Sequence, residues 1–258
     1  MSSARLKSNR TVWGLGRRSL LWLLTGCAVA LAAQQDESED SILRQKSTPA
    51  SDYAVKDIRG FDVRIHPSLL AESGPHVDLG REALDALDRD LAAVVDRIPG
   101  NALDKVRDVP IFLSLADPVT PCACYHLSAD WLRSNGFDPK KARAVELANA
   151  ERYVEWRIQQ PSMILHELAH ALEDQHLQDA RPQITAAYER IQAAGVLDDV
   201  LRASGQRDRH YALTNRAEYF AETSEALFGV NDFWPFVRAE VESADPKGAT
   251  LIDSLWRR

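Results

Sequence analysis

Cysteine is scarce in this 258-residue chain, which has only Cys27, Cys122 and Cys124. No second Cys pair accompanies Cys122-Ala123-Cys124, so a zinc ribbon is excluded. The uncharged apolar run from Leu20 to Ala33 is about 14 residues, short of a membrane span. Positive charge is also in short supply. Of 31 Lys+Arg, five (Arg5, Lys7, Arg10, Arg17, Arg18) lie in the first 33 residues, which leaves 26 against 38 Asp+Glu and a net charge near −12 for the remainder. Nucleic-acid binding rests on neutralising phosphates, so an acidic body is a poor candidate for it. A cationic peptide substrate stays possible. Internal repeats are absent, and so is low-complexity sequence beyond an acidic tract early in the chain.

What is present begins with an export-like leader. Residues 1–33 join a basic start to the apolar run, the layout of a signal peptide. Ala30-Leu31-Ala32 offers small residues for ordinary cleavage. Leu24-Thr25-Gly26-Cys27 resembles a lipoprotein signal, with Cys27 as the lipidated residue, and an uncleaved anchor is the third option. Arg17-Arg18 hints at twin-arginine export. Each option puts the body outside the cytoplasm: periplasmic, cell-surface or secreted, with membrane attachment through a lipid or an uncleaved leader. Residues 34–51 (Asp36-Glu37-Ser38-Glu39-Asp40 among them) have little to bury and read as a flexible tether. A single folded domain is expected over 52–258.

The domain reads as α+β, mostly helical, with a small mixed sheet ahead of its central helix. Tyr53-Ala54-Val55 and the alternation of Phe61, Val63 and Ile65 predict two strands around an Arg59-Gly60 turn. Leu84, Leu87, Leu91, Val94 and Val95 predict a helix over 80–98, stopped by Pro99-Gly100. Val109 to Leu115 predicts a strand whose free edge can accept an extended peptide. Helices are expected over 129–135, 139–159 and 183–201. His66, before Pro67, reads as structural. Cys122 and Cys124 read as a local disulfide or two free thiols, the export leader favouring oxidation. His126 is a candidate for the rim of a site.

The central helix spans 161–178 and carries His166-Glu167-Leu168-Ala169-His170. Residues four apart share one helix face, so both imidazoles can reach one metal ion, with Glu167 beside it to handle a proton. With seven histidines in the chain, chance produces such a pattern roughly once in a hundred. A third ligand is therefore sought downstream. Thr214 or Asn215 can cap a helix holding Glu218 and Glu222 in an apolar setting of Ala217, Tyr219, Phe220 and Ala221. Buried carboxylates need charge compensation. Glu218 as the third zinc ligand, with Glu222 as a hydrogen-bond acceptor behind the ligands, meets that need; exposed glutamates are the alternative. Asp174, four residues past His170, is a second candidate to orient a ligand histidine, unless it faces solvent.

The two segments, HExxH and then Tyr211 through Asn215, Ala217-Glu218 and Phe220-Ala221-Glu222, together resemble the catalytic domain of anthrax lethal factor and its relatives among the gluzincin metallopeptidases. The resemblance covers about residues 160–230 and does not extend to the toxin's other domains. It implies a zincin-like fold, one zinc per chain on His166, His170 and Glu218, and Glu167 as general base. It also implies that Tyr211 stabilises the oxyanion, a role for which His210 is a rival. The expected activity is hydrolysis of peptide or protein substrates. A non-catalytic zinc-binding surface or scaffold protein is the alternative, together with a zinc hydrolase acting on other bonds. Asn231 to Phe236 reads as a packed turn anchoring the site helix.

Overall fold

The structure is a computed structural model, and it describes residues 47–258. The expected leader and the segment up to residue 46 lie outside the described residues. Packing begins earlier than residue 52. Ser47 Oγ donates to Asp117 Oδ2 at 2.7 Å, the Ala50 amide donates to Asp138 Oδ2 at 2.8 Å, and Ala50 is buried.

The fold is α+β. A five-stranded mixed sheet is assembled from β1 (Ala54–Ile58), β2 (Phe61–Ile65), β3 (Ile111–Leu113), β4 (Ala123–Tyr125) and β5 (Val145–Leu147). Its order is β1-β2-β3-β5-β4. The β2–β3 and β3–β5 pairs are parallel, while β1 and β4 are antiparallel edge strands. The β1–β2 hairpin turns at Arg59 and Gly60, both with positive φ (58° and 87°), a conformation glycine adopts without strain.

Two expectations change here. The strand over 109–115 is β3, interior between β2 and β5, so it has no free edge; the edge strands are β1 and, on the side of α5, β4. The helix expected over 139–159 is three elements: a 3-10 turn at Pro139–Lys141, β5, and α4 (Ala150–Trp156). Asn149 stops the strand and starts the helix, accepting the Arg152 amide in its side chain.

Alternation sorts the sheet's two faces. Phe61, Val63, Ile65, Ile111, Leu113, Val145 and Leu147 face the helices and join the main core. Phe112 faces the other way and is covered by Tyr53, Ala50 and Ala144. The helical layer comprises α1 (Val77–Arg97), α2 (Gly100–Arg107), α3 (Ala129–Ser134), α4, α5 (Met163–His176), α6 (Arg181–Ala194), α7 (Arg216–Phe228), α8 (Arg238–Ala244) and α9 (Pro246–Trp256). The helix expected over 183–201 is α6, ended at Gly195 in the left-handed region; Val200–Leu201 pairs with Arg207–Asp208 in a small ladder, β6 and β7. Among the described residues no helix is long and apolar enough to cross a membrane.

α7 sits at the centre. Every residue from Glu218 to Phe228 is buried, as in a helix surrounded by other elements. Phe220 stacks on Trp256 of α9, and each such ring contributes about 2 kcal/mol through burial. α5 and α7 run antiparallel and are fastened at both ends. At one end Ser162 Oγ donates to the Val230 carbonyl and accepts the Val230 amide, both at 2.9 Å. Gly229 permits this approach, since a Cβ there would lie 2.3 Å from Ser162 Oγ. At the other end Arg216 and Arg181 both bond the buried Glu173.

Candidate metal centre

Between those fastenings α5 and α7 bring His166, His170 and Glu218 together. His166 Nε2 lies 3.0 Å from His170 Nε2 and 3.1 Å from Glu218 Oε2, and His170 Nε2 lies 3.3 Å from the same oxygen. The helix start fixes Glu218: Asn215 Oδ1 accepts the amides of Ala217 and Glu218, so the first turn of α7 aims that carboxylate at α5. These three donor atoms are grouped closely enough to hold one metal ion.

Behind this cluster the arrangement departs from expectation. His166 Nδ1 meets Glu225 Oε1 at 2.6 Å, whereas Glu222 Oε1 stands 3.5 Å away. Glu225 is thus the hydrogen-bond acceptor that holds the Nδ1 proton and turns Nε2 toward the cluster. Glu218, Glu222 and Glu225 are spaced i, i+4, i+7 on α7, so the signal for Glu225 was its helical register. Glu222 instead accepts from Asn231 Nδ2 at 2.9 Å, which ties the Asn231–Phe236 turn to the site helix. His166, Glu222 and Glu225 form a further potential ligand group sharing the same imidazole.

Asp174 does not orient a ligand histidine. It accepts from Tyr125 Oη at 2.9 Å and from Arg181, and so fastens β4 to α5. His126 is not at the rim. It is buried on the far face of the sheet, 2.7 Å from Glu146 Oε2. His210 is also buried: its Nδ1 accepts the Ala212 amide and its ring stacks 5.0 Å from Phe233. Tyr211, half-buried, has its ring 6.4 Å from His166. Of the two rivals, Tyr211 therefore lies beside the ligands and His210 caps the turn that carries it. His66 accepts the Ser68 amide and caps a 3-10 turn. Cys122 and Cys124 are both buried and are not bonded to each other.

The electrostatics of the cluster favour positive charge. Burial alone would keep His166 neutral, but the Glu218 and Glu225 carboxylates outweigh it and hold its pKa well above the ordinary value. Burial would raise Glu218, yet the charge of His170 and the hydrogen bond from His166 pull it far below the usual carboxylate range. Glu222, buried beside the charge of Glu225, is pushed well up. Glu225 is raised by burial to about 7 against the pull of His166. Burial alone drives His210 down to about 3. Glu167 is buried on the same turn of α5. Its charge, after the larger effect of burial, helps push the Cys122 thiol up to about 12, which leaves that thiol inert.

A second buried polar cluster lies behind the sheet. Lys141 Nζ reaches Glu146 Oε1 at 2.6 Å and Asp117 Oδ2 at 2.8 Å, under the rings of Tyr53 and Phe112. Sequence reasoning missed it because Glu146 and Lys141 fell inside an expected helix. Comparison of the chain with protein-family models, curated proteins and solved structures gives no match.

Proposed function

We propose that this protein is an exported zinc-dependent endopeptidase with a zincin-like fold, hydrolysing peptide bonds in peptide or protein substrates. One observation carries the reading: two imidazole nitrogens and one carboxylate oxygen stand 3.0 to 3.3 Å apart, with the Glu167 carboxylate on the same helix. Zinc bonds of 2.0–2.1 Å in a tetrahedron separate neighbouring donors by about 3.3 Å, so the cluster suits that ion. Two histidines and a glutamate are also the donor set of catalytic rather than structural zinc, leaving one position open.

His166, His170 and Glu218 would hold zinc, which when bound would supply Lewis acidity and lower the pKa of a water. Glu167 would accept a proton from the attacking water on a carboxylate oxygen and return it to the leaving nitrogen. Tyr211 donates from Oη to the carbonyl oxygen as it gains charge. Glu225 keeps the His166 ring in one tautomer throughout. Export rests on residues 1–33. The free edge of β4, fastened to α5 through Tyr125 and Asp174, supports a substrate added as an extended strand.

The test pairs zinc stoichiometry with cleavage of an unbiased peptide library, using Glu167→Gln as control. One zinc per chain with cleavage lost in the variant supports the peptidase. One zinc without cleavage favours the non-catalytic binding protein. No zinc at all overturns both.

A further inference from the structure

The backbone groups on the outer edge of β4 can be identified from its pairing. The Val145 amide donates to the Pro110 carbonyl, and the Ser114 amide donates to the Leu147 carbonyl, so Val145 and Leu147 face β3. Their partners across β4 are Tyr125 and Ala123, whose amides and carbonyls therefore point away from the sheet. The groups that face β5 are those of Cys122, Cys124 and His126, as the Ala148-to-Cys122 and His126-to-Ala144 bonds show.

Direction along this edge follows from α5. Cys122 Sγ touches Met163 Sδ at 3.6 Å at the start of the helix, while Tyr125 Oη bonds Asp174 and Gln175 near its end. His166 and His170 lie between these two contacts, so the metal centre faces the middle of β4, with Leu127 beyond its Tyr125 end. A peptide pairing antiparallel with β4 runs from the Leu127 end toward Ala123. The part lying beyond Tyr125 is the part that precedes the scissile bond.

Leu127 and Trp131 stand there. They are 57% and 45% exposed. Leu127 follows Tyr125 by two residues, on the α5 side of the ladder, while Cys124 and His126 face the opposite side. Trp131 begins α3, where Ser128 Oγ accepts its amide, and its ring is held against Phe137 (centroids 6.0 Å, interplanar angle 13°). Two exposed apolar side chains thus follow the end of β4 along the chain.

We infer that Leu127 and Trp131 form an apolar subsite that selects a large aliphatic or aromatic substrate side chain on the N-terminal side of the cut. At about 3.3 Å per residue along the strand, the selected position is about two to four residues before the scissile bond. The inference rests on the peptidase reading above and adds its specificity.

The experiment uses the full zinc-loaded protein and a peptide library randomised at those positions. The parent protein is expected to cleave peptides with Leu or Phe there roughly tenfold faster than peptides with Ser, in kcat/KM. In Leu127→Ser/Trp131→Ser that ratio is expected to fall to near one, and in Leu127→Arg the preference is expected to turn to acidic side chains. Both sites are exposed, and thermal melting checks that the variants fold. A parent without preference at these positions, or a double variant that keeps it, overturns the subsite while leaving the peptidase reading intact. Absence of any cleavage by the parent overturns both.

Discussion

His166 Nδ1 lies 2.6 Å from Glu225 Oε1, while the neighbouring Glu222 carboxylate is 3.5 Å away and engaged with Asn231. The His166 imidazole is thus oriented by the third of three glutamates on α7, not the second. Glu225→Gln can still accept a hydrogen bond through its amide oxygen, whereas Glu225→Ala cannot. The alanine variant should lose metal affinity by about 10- to 100-fold, with the glutamine variant in between. Chelator competition measures it, and equal affinities for all three proteins would remove Glu225 from this role. Asp174→Asn should leave affinity unchanged, because Asp174 bonds Tyr125 and Arg181.

Glu167 and Glu218 should separate cleanly. Glu167→Gln is expected to hold zinc with the parent's stoichiometry and lose turnover by several orders of magnitude. Glu218→Ala is expected to lose zinc itself, seen by elemental analysis after dialysis. Full zinc retention by the alanine variant would exclude Glu218 as a ligand.

Tyr211 and His210 differ in kind. Tyr211→Phe removes one donor beside His166 and should lower kcat by about 100- to 1,000-fold, with KM and zinc content little changed. His210→Ala strips a buried cap and its stack on Phe233, so its effect should appear first as a lowered Tm. A Tyr211→Phe protein with undiminished kcat would take the oxyanion role from that hydroxyl.

The buried cluster behind the sheet should make the protein acid-sensitive. Burial alone would raise the Glu146 carboxyl, but the His126 hydrogen bond and the Lys141 ammonium outweigh it and hold its pKa down at about 2, against 4.5 for an ordinary glutamate. A group lowered on folding stabilises the native state above its unfolded pKa. That stabilisation, on the order of 3 kcal/mol, is lost as pH falls from about 4.5 to about 2. Denaturant melts across this window should show the loss in the parent and a flatter profile in Glu146→Gln. At neutral pH that variant should already be destabilised by about 3 kcal/mol, since Lys141 loses one of its two carboxylate partners.

Much of the centre was legible because it is built on helical register. His166 and His170 are one helical turn apart, Asn215 is a strong cap, and Glu218 follows it in an apolar run. Glu225 carried the same periodicity but lies beyond the quoted motif. The sheet was less legible, because β3, β4 and β5 are three residues each and too short to display alternation. Val145-Glu146-Leu147 also places a carboxylate in an interior strand, which reads as a helix until Lys141 and His126 are seen to pair with it. His126 and Asp174 illustrate a different limit. Their spacing from a motif was right for a role at the centre, but the sheet lies between His126 and α5, and Tyr125 reaches Asp174 first.

The two-ended fastening of α5 to α7 bears on how the proposed ion would be exchanged. Ser162–Val230 and Glu173–Arg216 join the helices through residues outside the candidate ligand set, so these ties should persist whether or not an ion is bound. A domain folded by its metal surrenders the ion only by unfolding. Here release and uptake should proceed through the native state, with little change in hydrogen-exchange protection along either helix. Occupancy then becomes a matter of supply: the pocket takes whichever divalent ion its compartment offers at the highest product of concentration and affinity.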